Sequence, residues 1–244
     1  MSFTTRPVVR GRNYAVTSGH YLATVAGLRM LEMGGNAIDA AAAACFAINL
    51  LEPQNNGIGG EVPTLVYIAA EKKVHALSGQ GWAPQAFTIG WCREHGLDLI
   101  PGDGYLPACV PAVVDTWALA VARWGRLSFA EILAPTIELA EDGFPLYDGL
   151  RRSLVANAHK FTKLYPTTGA VYLPGGRIPQ VGEPVRNPDY AAIGASGADL
   201  RLRGHFTLTG ATRRVAILSG DRVRPDSLRE QACIVRVPLD SAAG

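Results

Sequence analysis

Residues 34–44, which read GGNAIDAAAAA, constrain the fold of this chain more than any other segment. Gly34 or Gly35 can adopt the left-handed conformation that ends a helix. Asn36 can cap the next helix, and Asp39 falls at its third residue, where a carboxylate favours the positive end of the helix. Because the alanines that follow carry no bulky side chains, we expect a helix that packs closely inside the protein.

Two consecutive helices are predicted around this segment. The first runs from Gly19-His20 to about Met33 and gathers small residues on one face. The second runs from about Ala37 to Leu51 and is apolar almost all round, which is typical of a helix buried between layers. The residues expected on the shared face of the first helix are Ala23, Ala26, Gly27 and Met30.

Strands are predicted on both sides of this helix pair. Residues 14–18 are predicted to form a short strand. Residues 62–70 and 74–78 are rich in β-branched and aromatic residues and predict two strands joined by a turn at 71–73. In the tail of the chain, residues 215–218 could form a further strand.

The middle of the chain is predicted to be mostly helical. One helix is expected over 111–124 and another over 150–163. Between them, Ser128 and Glu131 have the spacing of a capping box. We expect Pro135 to break or restart the helix that follows. Residues 165–188 are rich in Pro and Gly and predict loops with one short hairpin.

Composition excludes several functional classes. The net charge is +2 and no basic cluster contains interleaved aromatic residues, so no nucleic-acid partner is expected. The four cysteines form no C-x-x-C pair and the histidines lack ligand spacing, so no metal site is predicted. The longest apolar run, residues 40–48, is too short to span a bilayer, so no membrane association is predicted. The N-terminus lacks the apolar core of an export signal, so the expected location is cytoplasmic, with the periplasm as the alternative if a signal sequence is missing.

A series of short motifs resembles the gamma-glutamyltranspeptidase family. The motifs occur in the family's order over roughly residues 8–190, and their joint order and spacing carries the resemblance. They include Ala15-Val16-Thr17-Ser18-Gly19-His20, the GGNAIDAA segment, Glu52-Pro53, Gly57-Ile58-Gly59-Gly60, Ala83-Pro84, Val110-Pro111-Ala112, Trp124-Gly125 and residues 133–145.

The resemblance implies a fold and a chemistry. Family members are N-terminal-nucleophile hydrolases of the α+β class with an αββα sandwich, and this chain resembles the large-subunit portion, helix-rich after its first strands. The family precursor cuts itself, and the new N-terminal threonine of the small subunit attacks a γ-glutamyl amide through an acyl-enzyme. The resemblance implies a γ-glutamyl small molecule as substrate, a small catalytic subunit as partner, and no cofactor.

The nucleophile motif of the family is not found in this sequence, so no catalytic residue is predicted within it. Thr167-Thr168 superficially resembles the motif but lies within the large-subunit match, and Thr4-Thr5 has no partner segment to follow. Three hypotheses remain. The chain is part of a gamma-glutamyltransferase or glutathione hydrolase; it is an inactive fragment or a non-catalytic subunit that needs a partner; or it belongs to a related acylase that acts on non-glutamyl amides.

The domain prediction separates residues 8–190, the incomplete large-subunit-like region, from residues 191–244. The second region is rich in Arg, has weak periodicity and is not assigned to a family. A frameshift is one hypothesis for its different character. An intact family sequence in another reading frame would support that hypothesis.

Gln80, Gly59 and Gly60 are the candidate substrate-binding residues. Gln80 stands where many family members have an Arg that holds the α-carboxylate of the glutamyl group. A glutamine amide offers only neutral hydrogen bonds, so a changed acyl preference is one reading and a loop glutamine is the other. Gly59 and Gly60 could bring a backbone close to a substrate, but a tight turn before the strand is the favoured reading.

Three polar residues near the motifs are interpreted as structural. His20 follows Ser18 too closely for an ordinary triad and is better explained as a residue at a helix start. Asp39 is interpreted as a helix-start residue. Glu52 is interpreted as a helix-end residue that contacts neighbouring loops.

Overall fold

The computed structural model describes residues 10–192 and the backbone of the strands Gly204–Thr207, Arg214–Ser219 and Ala232–Val237. It begins with the predicted helix pair, α1 (Tyr21–Glu32) and α2 (Ala37–Leu51). Gly34, with φ of 90°, lies in the turn between them. Asn36 and Asp39 form a complete capping box at the start of α2, so the predicted turn and cap are confirmed.

Helices α1 and α2 pack closely because of small side chains. Ala23, Ala26, Gly27 and Met30 are all buried, as predicted. At Gly27, a Cβ would lie 2.9 Å from the carbonyl oxygen of Ala40 and 3.4 Å from the Cβ of Ala44. Glycine is therefore required by the approach of α2 at this position, even though it weakens an isolated helix.

A β-hairpin follows the helix pair. Strands β1 (Thr64–Ile68) and β2 (Lys73–Leu77) pair antiparallel, with Val66 opposite His75. Strand β1 is shorter than the predicted 62–70, and β2 begins one residue earlier than the predicted 74–78, because the ladder closes at Ile68 and Lys73. Lys72 adopts a positive φ of 52° in the turn. Residues 14–18 form no strand, which corrects the prediction made for them.

Three helices make up the next part: α3 (Ile89–Glu94), α4 (Val113–Trp124) and α5 (Phe129–Asp142). The capping box of Ser128 and Glu131 is confirmed at the start of α5. The prediction that Pro135 breaks this helix is wrong, because α5 continues through it. Pro135 is buried with Ile132, Leu133 and Thr136, so packing outweighs the missing backbone hydrogen bond.

The chain then forms β3 (Phe144–Pro145), α6 (Asp148–Lys163), α7 (Pro166–Tyr172) and β4 (Pro184–Val185). Helix α7 was predicted as a loop. The expected local hairpin is also wrong, since β4 pairs antiparallel with the distant β3. Two further hydrogen bonds, Leu146 N to Glu183 O and Gly182 N to Leu146 O, both 2.8 Å, extend this contact.

The remaining described residues form a helical segment at 188–192 and the strands β5 (Gly204–Thr207), β6 (Arg214–Ser219) and β7 (Ala232–Val237). Strand β6 pairs antiparallel with β5 and parallel with β7. The predicted strand at 215–218 lies within β6 and is confirmed. Most of the region 191–244 lies outside the described residues, and its separation as a second region stays a prediction.

Helix α2 lies at the centre of the core. Its Leu50 packs in one cluster with Phe144 and Leu150, and its Phe46 packs in a second cluster with Trp117 and Ile132. Many helices and small sheets agree with the predicted α+β class. Among the described residues, no helix is long and apolar enough to cross a membrane.

Candidate functional site

Three loop segments meet beside the entrance to β1, and they contain all the candidate binding residues. The Gly57–Gly60 turn is closed by a hydrogen bond from Gly60 N to Gly57 O at 2.9 Å. The second segment is formed by residues 79–82. Val62 N, just after the turn, donates to Gly79 O at 2.7 Å and so joins this segment to the first. The tight turn predicted for Gly57–Gly60 is therefore confirmed.

The third segment, residues 110–112, joins the other two through its backbone. Val110 N donates to Trp82 O at 3.0 Å, and Ala112 N donates to Gly60 O at 3.2 Å. A Cβ at Gly81 would overlap the carbonyl of Val110, so only glycine permits this approach. The three segments thus form one hydrogen-bonded unit.

Gln80 lies within this unit and contacts a carboxylate. Its Nε2 donates to Oε2 of Glu61 at 2.8 Å, and both side chains are exposed. Because Glu61 directly follows Gly60, the structure brings Gln80 and Gly60 into the same neighbourhood. A Cβ added at Gly59 would meet no atom within 4 Å, so the turn borders open space. The substrate-binding role of Gln80, Gly59 and Gly60 stays a prediction.

The loop before the Gly57–Gly60 turn is held by the buried side-chain amide of Asn49, a contact that the sequence analysis did not predict. Asn49 lies in the apolar helix α2 and is buried. Its Nδ2 donates to Oδ1 of Asn56 at 2.7 Å. The available signal was a lone Asn within an apolar helix, because such a residue needs a partner when buried.

Cys45 lies one helical turn before Asn49. Burial raises the pKa of its thiol, and the distance from its Sγ to Asn49 Oδ1 is 4.0 Å. A raised pKa keeps the thiol protonated at neutral pH, whereas a nucleophilic cysteine needs the thiolate. Cys45 therefore serves as a small packing residue in α2.

His20 and Ser18 do not form a catalytic pair. Ser18 Oγ donates to the carbonyl oxygen of His20 at 2.8 Å and also contacts Thr24 Oγ1 at 2.7 Å. The Nδ1 of His20 accepts a hydrogen bond from Leu22 N at 3.2 Å and so caps α1. The predicted structural role of His20 is confirmed.

Asp39 and Glu52 have the helix-start and helix-end positions predicted for them. Asp39 is fully buried and accepts hydrogen bonds from the backbone N–H groups of Asn36 at 2.7 Å and Arg126 at 3.1 Å. Glu52 caps the end of α2 and accepts from Nδ2 of Asn55 at 3.2 Å. A Cβ at Gly19 would lie 2.8 Å from Oε1 of Glu52, so this carboxylate also contacts the turn before α1.

The Thr167-Thr168 pair lies within the chain and offers no amino-terminal nucleophile there. Thr167 and Thr168 lie inside α7, and Thr4-Thr5 lies outside the described residues. Among the described residues, no three side chains of the His, Cys, Asp or Glu type converge on a point where a metal ion could bind.

Comparison with known sequences finds a protein family that matches most of this chain. The sequence model described as Gamma-glutamyltranspeptidase matches residues 23–201. A glutathione hydrolase proenzyme from Bacillus subtilis (strain 168) is 30% identical over 207 residues, which cover 82% of this chain and 35% of the relative. The Acylase ACY 1 proenzyme of Pseudomonas sp. (strain SE83) is 35% identical over 212 residues, which cover 82% of this chain and 38% of the relative.

Comparison with solved structures gives the same result for the fold. The crystal structure of Helicobacter pylori gamma-glutamyltranspeptidase superposes with a TM-score of 0.73 at 27% identity, covering 80% of this chain and 56% of that chain. The chain spans about a third of the length of the curated relatives it matches.

Proposed function

The chain belongs to the gamma-glutamyltranspeptidase family, and on that premise we propose that it forms the large-subunit part of an enzyme that cleaves γ-glutamyl amides. The observation that carries this proposal is the family match over residues 23–201 together with the fold shared with the Helicobacter pylori enzyme. The attacking threonine would come from a second, small-subunit polypeptide. Its own α-amine would act as the base, so that one residue supplies both groups.

The names of the relatives support a two-part enzyme, since both curated relatives described above are proenzymes. The β1–β2 hairpin gives independent support. Among the described residues, each of these strands pairs only with the other. Their outward side chains Leu65 and Tyr67 are 76% and 62% exposed. Two-stranded sheets are marginally stable in water, so strands of the small subunit would complete this sheet as part of an αββα sandwich.

A chromogenic γ-glutamyl anilide tests the assignment. The chain alone is expected to show no turnover, whereas addition of a threonine-bearing small subunit from a family relative is expected to produce turnover. A variant with Thr167→Ala and Thr168→Ala should behave like the unchanged chain. Turnover by the isolated chain would contradict the division of roles, and a complex that forms without turnover would contradict the proposed activity.

A second candidate function is an acylase that acts on non-glutamyl amides. The observation that favours it is the hydrogen bond from Gln80 to Glu61. If Gln80 occupies the position of the family's arginine, as the resemblance implies, a carboxylate would stand beside the α-carboxylate of a glutamyl group instead of a guanidinium. A negative charge there disfavours a carboxylate-bearing acyl group. The 35% identity to an acylase from Pseudomonas is consistent with this alternative.

Two anilides that differ only in the carboxylate separate the two candidates. The γ-glutamyl anilide carries an α-carboxylate, and the 4-aminobutyryl anilide lacks it. In the two-subunit enzyme, Gln80→Arg combined with Glu61→Gln should raise the kcat/KM ratio of the first over the second by about 10-fold or more, because charge-assisted hydrogen bonds contribute roughly 1.5–3 kcal/mol. Gln180→Arg is the matched control. An unchanged ratio in the double variant would remove Gln80 from the acyl site.

A further inference from the structure

A cavity lies between α7, β4 and the helical segment at 188–192, and it is formed by residues far along the chain from the loop unit. Its volume is about 400 Å³, which falls in the range of small-molecule pockets. None of the residues that line it belongs to the segments around Gly60, Gln80 or Val110. The cavity is therefore separate from the candidate substrate-binding residues.

The walls of the cavity are apolar and stiff. Four proline rings line it, at positions 174, 179, 184 and 188, together with Tyr172. Proline has a fixed φ and little side-chain freedom, so a ligand would cost these walls little entropy. Burial raises the pKa of Tyr172 to about 12, so its phenol is neutral at physiological pH. Such walls suit an apolar or aromatic side chain.

Two side chains of opposite charge also line this cavity: Arg186 and Asp189. Within residues 10–192, the ion pairs are formed by other residues, and neither of these two takes part in one. The stem of Arg186 packs beside Gly143, where a Cβ would lie 3.0 Å from Arg186 Cγ. The cavity thus combines apolar walls with one cation and one anion that have no ionic partner there.

We propose that this cavity binds a free α-amino acid with an apolar or aromatic side chain. Arg186 would hold the carboxylate, Asp189 would hold the ammonium group, and the proline rings and Tyr172 would enclose the side chain. A guanidinium group binds a carboxylate, and a carboxylate binds an ammonium group, so the two side chains are complementary to the two ends of a zwitterion. This site is independent of the proposed function, because other residues form it.

Isothermal titration calorimetry of the full chain with three ligands tests the proposal. L-Phenylalanine carries both charges, phenethylamine lacks the carboxylate, and 3-phenylpropionate lacks the ammonium group. Phenylalanine is expected to bind at least about fivefold more tightly than either analogue, a range set by charged hydrogen bonds at an exposed rim. Equal binding of the three ligands, or no saturable binding of phenylalanine at millimolar concentrations, would overturn the proposal.

Two exchanges assign each charge to its end of the ligand. Arg186→Gln should weaken the binding of phenylalanine by at least about fivefold and leave the affinity for phenethylamine unchanged. Asp189→Asn should weaken the binding of phenylalanine but leave the affinity for 3-phenylpropionate unchanged. Both residues are exposed, so both variants should fold. Arg93→Gln and Asp98→Asn are the matched surface controls. Losses in the controls as large as in the cavity variants would contradict the assignment.

Discussion

Helix α2 and the β1–β2 hairpin lie close together in the sequence and are both rich in apolar residues, yet they bury them differently. Phe46 and Leu50 of α2 are each 1% exposed, whereas Leu65 and Tyr67 of β1 are 76% and 62% exposed. Helices α1, α4 and α5 surround α2, while the outward face of the hairpin has no cover among the described residues. Apolar composition alone therefore does not say which segment forms the core of this chain.

The contrast predicts different energetic roles for the two regions. In the α2 region, close packing within the chain should determine the free energy of unfolding. In the hairpin, the outward side chains should contribute little to the stability of the isolated chain and more to association with another polypeptide. Exposed apolar patches often mark such contacts.

The largest loss of stability is expected for Phe46→Ala. Phe46 packs edge-to-face against Phe129 with ring centroids 5.5 Å apart, and its removal leaves a cavity in the core. We expect a loss of about 3–5 kcal/mol in the free energy of unfolding, measured by urea denaturation. Trp82→Ala is the control, because Trp82 is 79% exposed. A similar loss of stability in both variants would contradict the expectation that buried side chains of α2 contribute more to stability than exposed ones.

Asp39→Asn is expected to have the next largest effect. The carboxylate of Asp39 accepts from Asn36 N and, across the fold, from Arg126 N and Leu127 N. Asparagine offers one acceptor oxygen instead of two, and the lost partners leave buried donors unsatisfied. A loss of about 2–4 kcal/mol is expected by the same measurement. Asp142→Asn, at an exposed site, should change stability by less than about 0.5 kcal/mol.

These two sites also show what sequence could and could not reveal. The caps at Asn36 and Ser128 were predictable, because a capping box depends on residues three positions apart. The bonds from Asp39 to residues 126 and 127 were not predictable, since they join backbone groups 87 and 88 positions away. Pro135 misled the prediction because burial of its neighbours in α5 outweighed its local preference.

In the candidate site, the Gly57–Gly60 turn was predictable from its glycines. The contact of Gln80 with Glu61 was not, because it depends on the pairing of two loops 19 residues apart. The glycine at position 81 also gave no clear signal, since only the approach of Val110 requires it. The sequence thus predicts local turns and caps well, and it predicts poorly the contacts that assemble separate loops.

A smaller, pH-dependent effect is expected at His20. Burial lowers the pKa of its imidazole below the model-compound value of 6.5, although nearby Glu52 acts in the opposite direction. The neutral form is favoured in the folded state, so this contribution is present above pH 6.5 and is lost as the pH falls through the lowered pKa.

His20→Asn keeps a side-chain acceptor at the N-cap of α1 but does not titrate. Urea denaturation from pH 7 to pH 5 should therefore show a weaker decline in stability than in the unchanged chain. His159→Asn removes an exposed imidazole on α6 as the control. An unchanged pH dependence in His20→Asn would show that this buried imidazole does not contribute to the pH dependence of stability.

The smallest effect on folding is expected on the outward face of the hairpin. Replacing Leu65 and Tyr67 by Lys should change the free energy of unfolding by less than about 0.5 kcal/mol per site, because both side chains are exposed. We also expect the isolated chain to self-associate through this exposed face, and the same variant should reduce that self-association in analytical ultracentrifugation. It should also weaken binding of a threonine-bearing small subunit, because two charges would enter the proposed interface. A loss of stability close to that of Phe46→Ala would show instead that residues of this chain cover the hairpin, and the contrast with α2 would then fail.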